Sequence, residues 1–277
     1  MKNILSLIIL ILILNNNLLK GQNFKLYYNL EFVRDTISNK KESKQMTLWS
    51  NKESVIFCSN ELIIRDSLYL KNNEDIYVSK QEVEFMTIKD KNSLYKYNYI
   101  DSYLYKTLEK NKVLDWQIKS DIKNINGFTC QLATLKYKGR DWEAWFDKSY
   151  NISFGPYIFH GLPGLIVHLN DLKNNYIFSL EKIAKSKEDI TKSFFSLSNK
   201  NFPKSIIVNY KQLKKLYLTE YADPFRRMKE KKIIFMIDEK TGERQPPPDF
   251  DKMTKSAQKY IRDTNNPIEL SEAIKFP

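Results

Sequence analysis

Few side chains in this sequence can do chemistry. The only histidines are His160 and His168, and the only cysteines are Cys58 and Cys130. A zinc site built on the two histidines would need further ligands such as Asp171 or Glu143. No H-E-x-x-H run is present, and an eight-residue His spacing is not diagnostic. No metal or other cofactor is therefore expected. No G-x-S-x-G nucleophile elbow occurs, and neither cysteine carries a local catalytic signature. Asp141 and Glu143, two apart on one strand face, could act as an acid/base pair only inside a cleft. On an edge hairpin they read as solvated charges. An exported hydrolase thus stands behind two non-enzymatic readings.

Other chemistry depends on compartment. Met1-Lys2-Asn3 precedes an eleven-residue apolar run, Ile4–Leu14. A bilayer-spanning helix needs roughly 17–25 residues, so the run suits the h-region of a signal peptide. Gly21 is the expected cleavage position, giving a leader over 1–21 and an exported protein of the periplasm or outer-membrane periphery. No Cys follows the run, so it is not read as a lipoprotein. In an oxidising compartment Cys58 and Cys130 can pair. That bond would close a loop of about seventy residues and contribute on the order of 3–4 kcal/mol; two buried thiols are the alternative. The formal net charge is +12, carried mostly by Lys. Without a guanidinium-rich or aromatic-basic motif, this excludes nucleic-acid binding and leaves weak attraction to a membrane surface.

Positioning such residues falls to β-structure. Phe24, Leu26, Tyr28, Leu30 and Phe32 alternate with polar residues, which predicts a half-buried strand. Short strands are also predicted over 44–50, 53–59, 76–78, 84–89, 94–100 and 102–108. A hairpin of 128–137 with 140–146 turns at Lys138-Gly139, and strands at 165–169 and 176–183 follow. The absence of alternating helices disfavours a parallel βαβ order. Near Pro203 the period changes: Ile206, Ile207, Tyr210, Leu213, Leu216 and Tyr217 predict an amphipathic helix, and Asp223-Pro224 starts a second, short one. The expectation is a mainly β, curved antiparallel sheet or half-barrel packed with a C-terminal amphipathic helix (α+β). It covers 22–238, and 239–277 is an extended Pro-containing tail with at most one helix, near 250–263.

One segment departs from the rest. Glycine numbers only 7 in the chain, yet Gly155, Gly161 and Gly164 fall within ten residues, with Pro156 and Pro163 among them. Such clustering implies backbone geometry that side chains would block. Leu162-Pro163-Gly164 suits a type II turn, with positive φ expected at Gly164, feeding the apolar Leu165-Ile166. Both a buried chain reversal and a ligand-contacting loop fit it.

Gly161-Leu162-Pro163-Gly164-Leu165-Ile166 resembles the motif that names the GLPGLI family of exported proteins in Bacteroidota-type bacteria. Gly127, Cys130, Ala133, Gly139-Arg140, Trp142, Ala144-Trp145-Phe146, Gly155-Pro156-Tyr157 and Phe159 extend the resemblance over about 115–180. Tyr150-Asn151 departs from the Ile-Pro expected after the Trp-x-Ala-Trp segment. The resemblance implies an envelope protein near outer-membrane transport systems, without an established activity.

Two readings follow. The first is a binding or carrier module that holds an amphiphile or peptide in an aromatic-lined concavity, with Trp145, Tyr157, Phe159 and His160 as ligand-contacting candidates. Trp142 and Trp145 point to opposite faces of one strand, so only one of them can share that concavity. The second is an accessory protein that docks an outer-membrane partner through a sheet edge or its tail.

Overall fold

In the computed structural model, residues 23–51, 54–72, 79–90, 93–109, 113–187, 205–231, 236–238, 240–245 and 248–277 are described. The expected leader and the strand at 76–78 lie outside them. The alternation along Phe24–Val33 (β1) makes a central strand. Leu26, Tyr28 and Leu30 are fully buried on its inner face, and Tyr27, Asn29 and Glu31 are half exposed on its outer face. The chain continues through β2 (Lys41–Ser50), β3 (Val55–Ser59), α1 (Asn60–Asn72), α2 (Lys80–Val83), β4 (Thr87–Lys89), β5 (Leu94–Ile100) and β6 (Tyr103–Glu109). Next come β7 (Gln117–Ile125), β8 (Phe128–Tyr137), β9 (Arg140–Asp147), β10 (Leu165–Asp171) and β11 (Tyr176–Lys185). The C-terminal part holds β12 (Ile206–Ile207), α3 (Tyr210–Ala222), α4 (Arg226–Glu230), the ribbon β13 (Met236–Ile237) and β14 (Arg244–Gln245), and α5 (Phe250–Asp263).

Among the described residues, twelve strands form one open, curled sheet in the order β12-β6-β5-β4-β3-β2-β1-β11-β10-β9-β8-β7. Every pairing is antiparallel except β12 on β6. The protein is therefore mainly β, as the alternating pattern predicts, with the helices packed on the sheet. The main core fills the inner face of β1, β2 and β8–β11. A smaller core lies under α1 and α2, where Trp49, Ile56 and Cys58 meet Leu62, Ile63 and Val83.

Tight turns set the registers. Lys138 and Gly139 have φ of 44° and 83°, as a two-residue type I′ hairpin requires. Asn126 and Gly127, at 52° and 88°, do the same between β7 and β8, a strand pair whose first member the period-two reading passes over. Asn209 caps α3: its side chain accepts from Gln212 N at 2.9 Å, and Gln212 Oε1 accepts from Asn209 N at 2.8 Å. This capping box starts the helix at Tyr210, so Ile206 and Ile207 lie on β6 as a strand and not in the predicted helix. The helix expected near 250–263 forms, capped by Asp249, and the stretch after it is packed, not free. Ser271 N donates to Lys138 O at 2.9 Å, and Tyr176 Oη donates to Asn266 O at 2.6 Å.

The disulfide does not form. Cys58 and Cys130 are both buried free thiols. They sit on β3 and β8 with β2, β1, β11, β10 and β9 between them. Six inter-strand steps of about 4.8 Å far exceed the roughly 7 Å Cα separation a disulfide tolerates. Burial pushes the Cys58 thiol up and the Cys130 thiol up to about 11, away from reactive thiolate.

Gly164 also differs from expectation. Positive φ falls on Gly161, at 92°, and not on Gly164. Gly164 is needed for space: a Cβ there would stand 2.4 Å from Asp147 O. The chain crosses the end of β9 too closely for any side chain.

Candidate functional site

The loop from β9 to β10 is a plug on the inner face. Gly155 N bonds Phe159 O at 2.8 Å, Gly161 N bonds Ser153 O at 2.8 Å, and Phe154 bridges His160, so the loop closes on itself. Its side chains Ile152, Ile158, Phe159 and Leu162 are buried in the main core. The Phe159 ring lies 4.5 Å from Trp142 and near Trp116 and Tyr137. A Cβ on Gly155 would meet Ile166 Cδ1 at 2.4 Å. Across the fold, Thr87 Oγ1 donates to Tyr157 O at 3.0 Å, which ties the plug to β4.

Beside the plug the same inner face opens into a cleft of about 1280 Å³. One wall is β5, β6 and the β8–β9 turn, and the other is α2, α3, α5 and residues 264–276. Val83, Phe85, Met86, Leu114 and Leu135 give it an apolar flank, and Tyr97, Tyr137, Tyr157, Tyr210, Tyr217 and Tyr260 face it as well.

Five charges form the cleft floor. Lys138 Nζ lies 2.9 Å from Glu109, 3.2 Å from Glu269 and 2.8 Å from Glu272. Lys96 Nζ pairs with Glu109 at 2.9 Å, with Glu272 at 3.4 Å and closely with Glu269. Tyr157 Oη donates to Glu269 at 3.1 Å and Tyr137 Oη to Glu109 at 3.3 Å. Two of these residues hold left-handed backbone, Lys138 at φ 44° and Tyr157 at φ 57°. Such conformations cost energy in bulky residues and persist only where the surroundings fix them. Here the hairpin turn fixes Lys138 and the Pro156–Phe159 turn fixes Tyr157, and both turns aim their side chains at the carboxylates.

Burial works against the charged forms, and pairing decides the outcome at each site. Burial alone would lower the Lys138 ammonium, yet Glu269, Glu272 and Glu109 raise it above its ordinary value. Burial raises the Glu269 carboxyl, and two lysines only partly offset it. Burial would also raise Glu272, but its bonds to Glu269 and Lys138 lower it to about 2. Burial resists Glu109 ionising too, and Lys96 and Lys138 still hold it below the usual carboxylate range.

A second buried ion pair anchors the tail wall. Arg140 Nη1 lies 2.9 Å from Asp171 Oδ2, both almost fully buried. The same guanidinium donates to Ile268 O at 3.0 Å, Pro267 O at 2.7 Å and Asn266 Oδ1 at 2.6 Å. Four of its five N–H groups thus have acceptors, the support a buried Arg needs.

Of the ligand-contacting candidates, only Tyr157 lines the cleft. Phe159 is core. His160 is half-buried, with Nδ1 2.8 Å from Ile158 O and its own carbonyl accepting from Trp116 Nε1 at 2.9 Å. Trp145 lies on the outer face, opposite His168 in register and under Lys123 Nζ at 3.8 Å. Burial lowers both imidazoles, favouring their neutral forms. Sequence reasoning passed over Lys96, Glu109, Lys138, Glu269 and Glu272, which no motif links. Among the described residues no group of three or more His, Cys, Asp or Glu could hold a metal ion, and no helix is long and apolar enough to cross a membrane.

No protein-family model and no curated protein matches the chain. Among solved structures it is similar to PNGF-II in space groups P21 and C2, at 13% and 14% identity and a TM-score of 0.49 in each. These similarities cover 71% of this chain and 33% and 32% of the PNGF-II chains, so the chain spans about a third of that protein's length. The LolA superfamily protein NE2245 from Nitrosomonas europaea is similar at 8% identity over 65% of this chain and 94% of its own, with a TM-score of 0.28. Likenesses this distant carry no argument about function.

Proposed function

We propose that this protein is an exported, non-enzymatic binding module of the GLPGLI type whose cleft holds an amphiphile or a peptide. The observation that carries this reading is the cleft's division into an apolar flank and a floor of paired charges, with eight tyrosines among its lining residues. Tyrosine offers an apolar ring and a polar tip with little entropy to lose, which suits ligands carrying both kinds of surface. A floor with both signs of charge matches a peptide, or a lipid head group and its chain, better than a plain hydrocarbon. Both histidines stand away from the floor, which supports binding over acid/base chemistry.

Native mass spectrometry of the protein purified gently from its own envelope tests this. The expected result is a reproducible excess mass, released as lipid or peptide on denaturation and lost in Tyr217→Ala. A clean apo mass would overturn it. A different protein retained beside that apo mass would instead support the second reading, an accessory protein docking an outer-membrane transport partner. That alternative draws on the exposed edge strand β7.

A further inference from the structure

The two edges of the sheet are unlike. At one end β12 is two residues long, lies parallel on β6, and runs at once into the Asn209 cap of α3. That edge is blunted, as sheets that stay single commonly arrange. At the other end β7 runs nine residues, among the described residues bonds β8 alone, and is exposed over Gln117–Asn124. Ile118 is 46% and Ile122 is 66% exposed.

We propose that β7 is a self-association edge, pairing antiparallel with β7 of a second copy about a two-fold axis at Ser120. The sequence Ile118-Lys119-Ser120-Asp121-Ile122 is complementary to its own reverse. Antiparallel pairing centred on Ser120 sets Ile118 against Ile122 of the other copy, and Lys119 against its Asp121, each twice by symmetry. That is the isologous contact a two-fold dimer requires, with an apolar and an oppositely charged cross-strand pair in each half.

The backbone and faces agree with this register. Lys119 O accepts from Gln131 Nε2, so that peptide group is turned toward β8. In a trans peptide the Ser120 N–H then points outward, and counting back from the Ile125–Phe128 pair that closes the hairpin, the groups of Ile122 point outward too. These are the residues whose groups bond in a Ser120-centred ladder. The register shift between Ile118 and Ile122 leaves both isoleucines on one face, because they stand opposite Ala133 and Gln131, two apart on β8. Lysines on an edge commonly discourage pairing. Here Lys123 is folded over Trp145 at 3.8 Å, and Lys119 meets an aspartate.

Sedimentation of the full chain over a concentration series is the test, joined to a charge swap. Wild type is expected to reach twice the protomer mass. Lys119→Asp places acids opposite each other, so its dissociation constant should rise at least about tenfold. Lys119→Asp with Asp121→Lys restores complementarity and should restore the dimer. Ser120→Cys should oxidise to a covalent dimer, which the native thiols, both buried, do not form themselves. A wild type monomeric at every concentration overturns the proposal. So does a dimer indifferent to Lys119→Asp, a Ser120→Cys chain that fails to cross-link, or open-ended oligomers. A different protein captured on β7 in place of the second copy overturns it as well.

Discussion

Plug and cleft share one inner face, and they solve opposite problems. In the plug, backbones approach so closely that Gly155 and Gly164 have no room for a Cβ, and Phe159 is sealed among aromatic rings. A few residues away, the same sheet leaves a cleft whose floor keeps five charges in contact. The most distinctive sequence motif of the chain thus lies in its most tightly packed part. Its link to the cleft runs through one side chain, Tyr157, whose hydroxyl reaches Glu269. The lesson is physical: glycine clustering reports where backbone must crowd, not where a ligand can sit.

The largest expected effect separates the two regions at their shared support. Arg140 belongs to the hairpin beneath the plug but holds the tail that walls the cleft. Arg140→Ala leaves Asp171 charged and buried and frees three tail acceptors, costing about 3–5 kcal/mol. Urea unfolding should show that loss, and hydrogen exchange should rise first across 265–272. Equal loosening of the plug and the tail would show that the two regions are one cooperative unit.

The next comparison lies within the plug, between two glycines that the sequence presents alike. Gly164→Ala drives a Cβ to 2.4 Å from Asp147 O, against backbone that cannot swing aside as a side chain would, and should cost about 3 kcal/mol or more. Gly161→Ala meets nothing within 4 Å and strains only a φ of 92°, so about 1 kcal/mol is expected. Paired thermal melts check the order. A larger loss at Gly161 would mean that backbone conformation, not space, limits the loop.

These two positions also mark how far the sequence could be read. Glycine clustering marked this segment as crowded backbone, but positive φ was assigned to the wrong glycine, because steric room depends on Asp147, seventeen residues earlier in the chain. The β8–β9 hairpin was legible because Lys138-Gly139 meets a local rule. The helix α5 was legible because Asp249 and a helical period coincide. Strand β7 was not, despite Asn126-Gly127, because a solvated edge shows no apolar alternation to detect. Helix α1 was missed because its buried Leu62 and Ile63 follow β3 with no break. The cleft floor was illegible for a stronger reason. Lys96, Glu109, Lys138, Glu269 and Glu272 come from four separate stretches, and only the curl of the sheet and the returning tail bring them together. An excess of tyrosine, 17 in all, was the one compositional hint of a ring-lined site.

The smallest effect tests the cleft floor through acid. Glu272 is held near 2 in the folded chain against an ordinary 4.5, so its contribution is present above about 4.5 and lost as pH falls toward 2. Glu109 acts in the same direction. Glu269 acts oppositely: its raised carboxyl takes up a proton earlier in the folded chain, which favours folding as the medium acidifies. Protonated Glu269 no longer competes for Lys96 and Lys138, so Glu272 and Glu109 carry the remaining acid sensitivity. Glu272→Gln should therefore change stability at neutral pH by less than about 1 kcal/mol, its carboxylate being partly exposed. It should also flatten the fall in melting temperature between pH 4.5 and 2, relative to wild type. The plug holds no comparable cluster of charges, so Gly161→Ala should leave that slope unchanged. If Glu272→Gln and Gly161→Ala give the same acid slope, the floor is not where this protein senses acid, and the electrostatic contrast between plug and cleft fails.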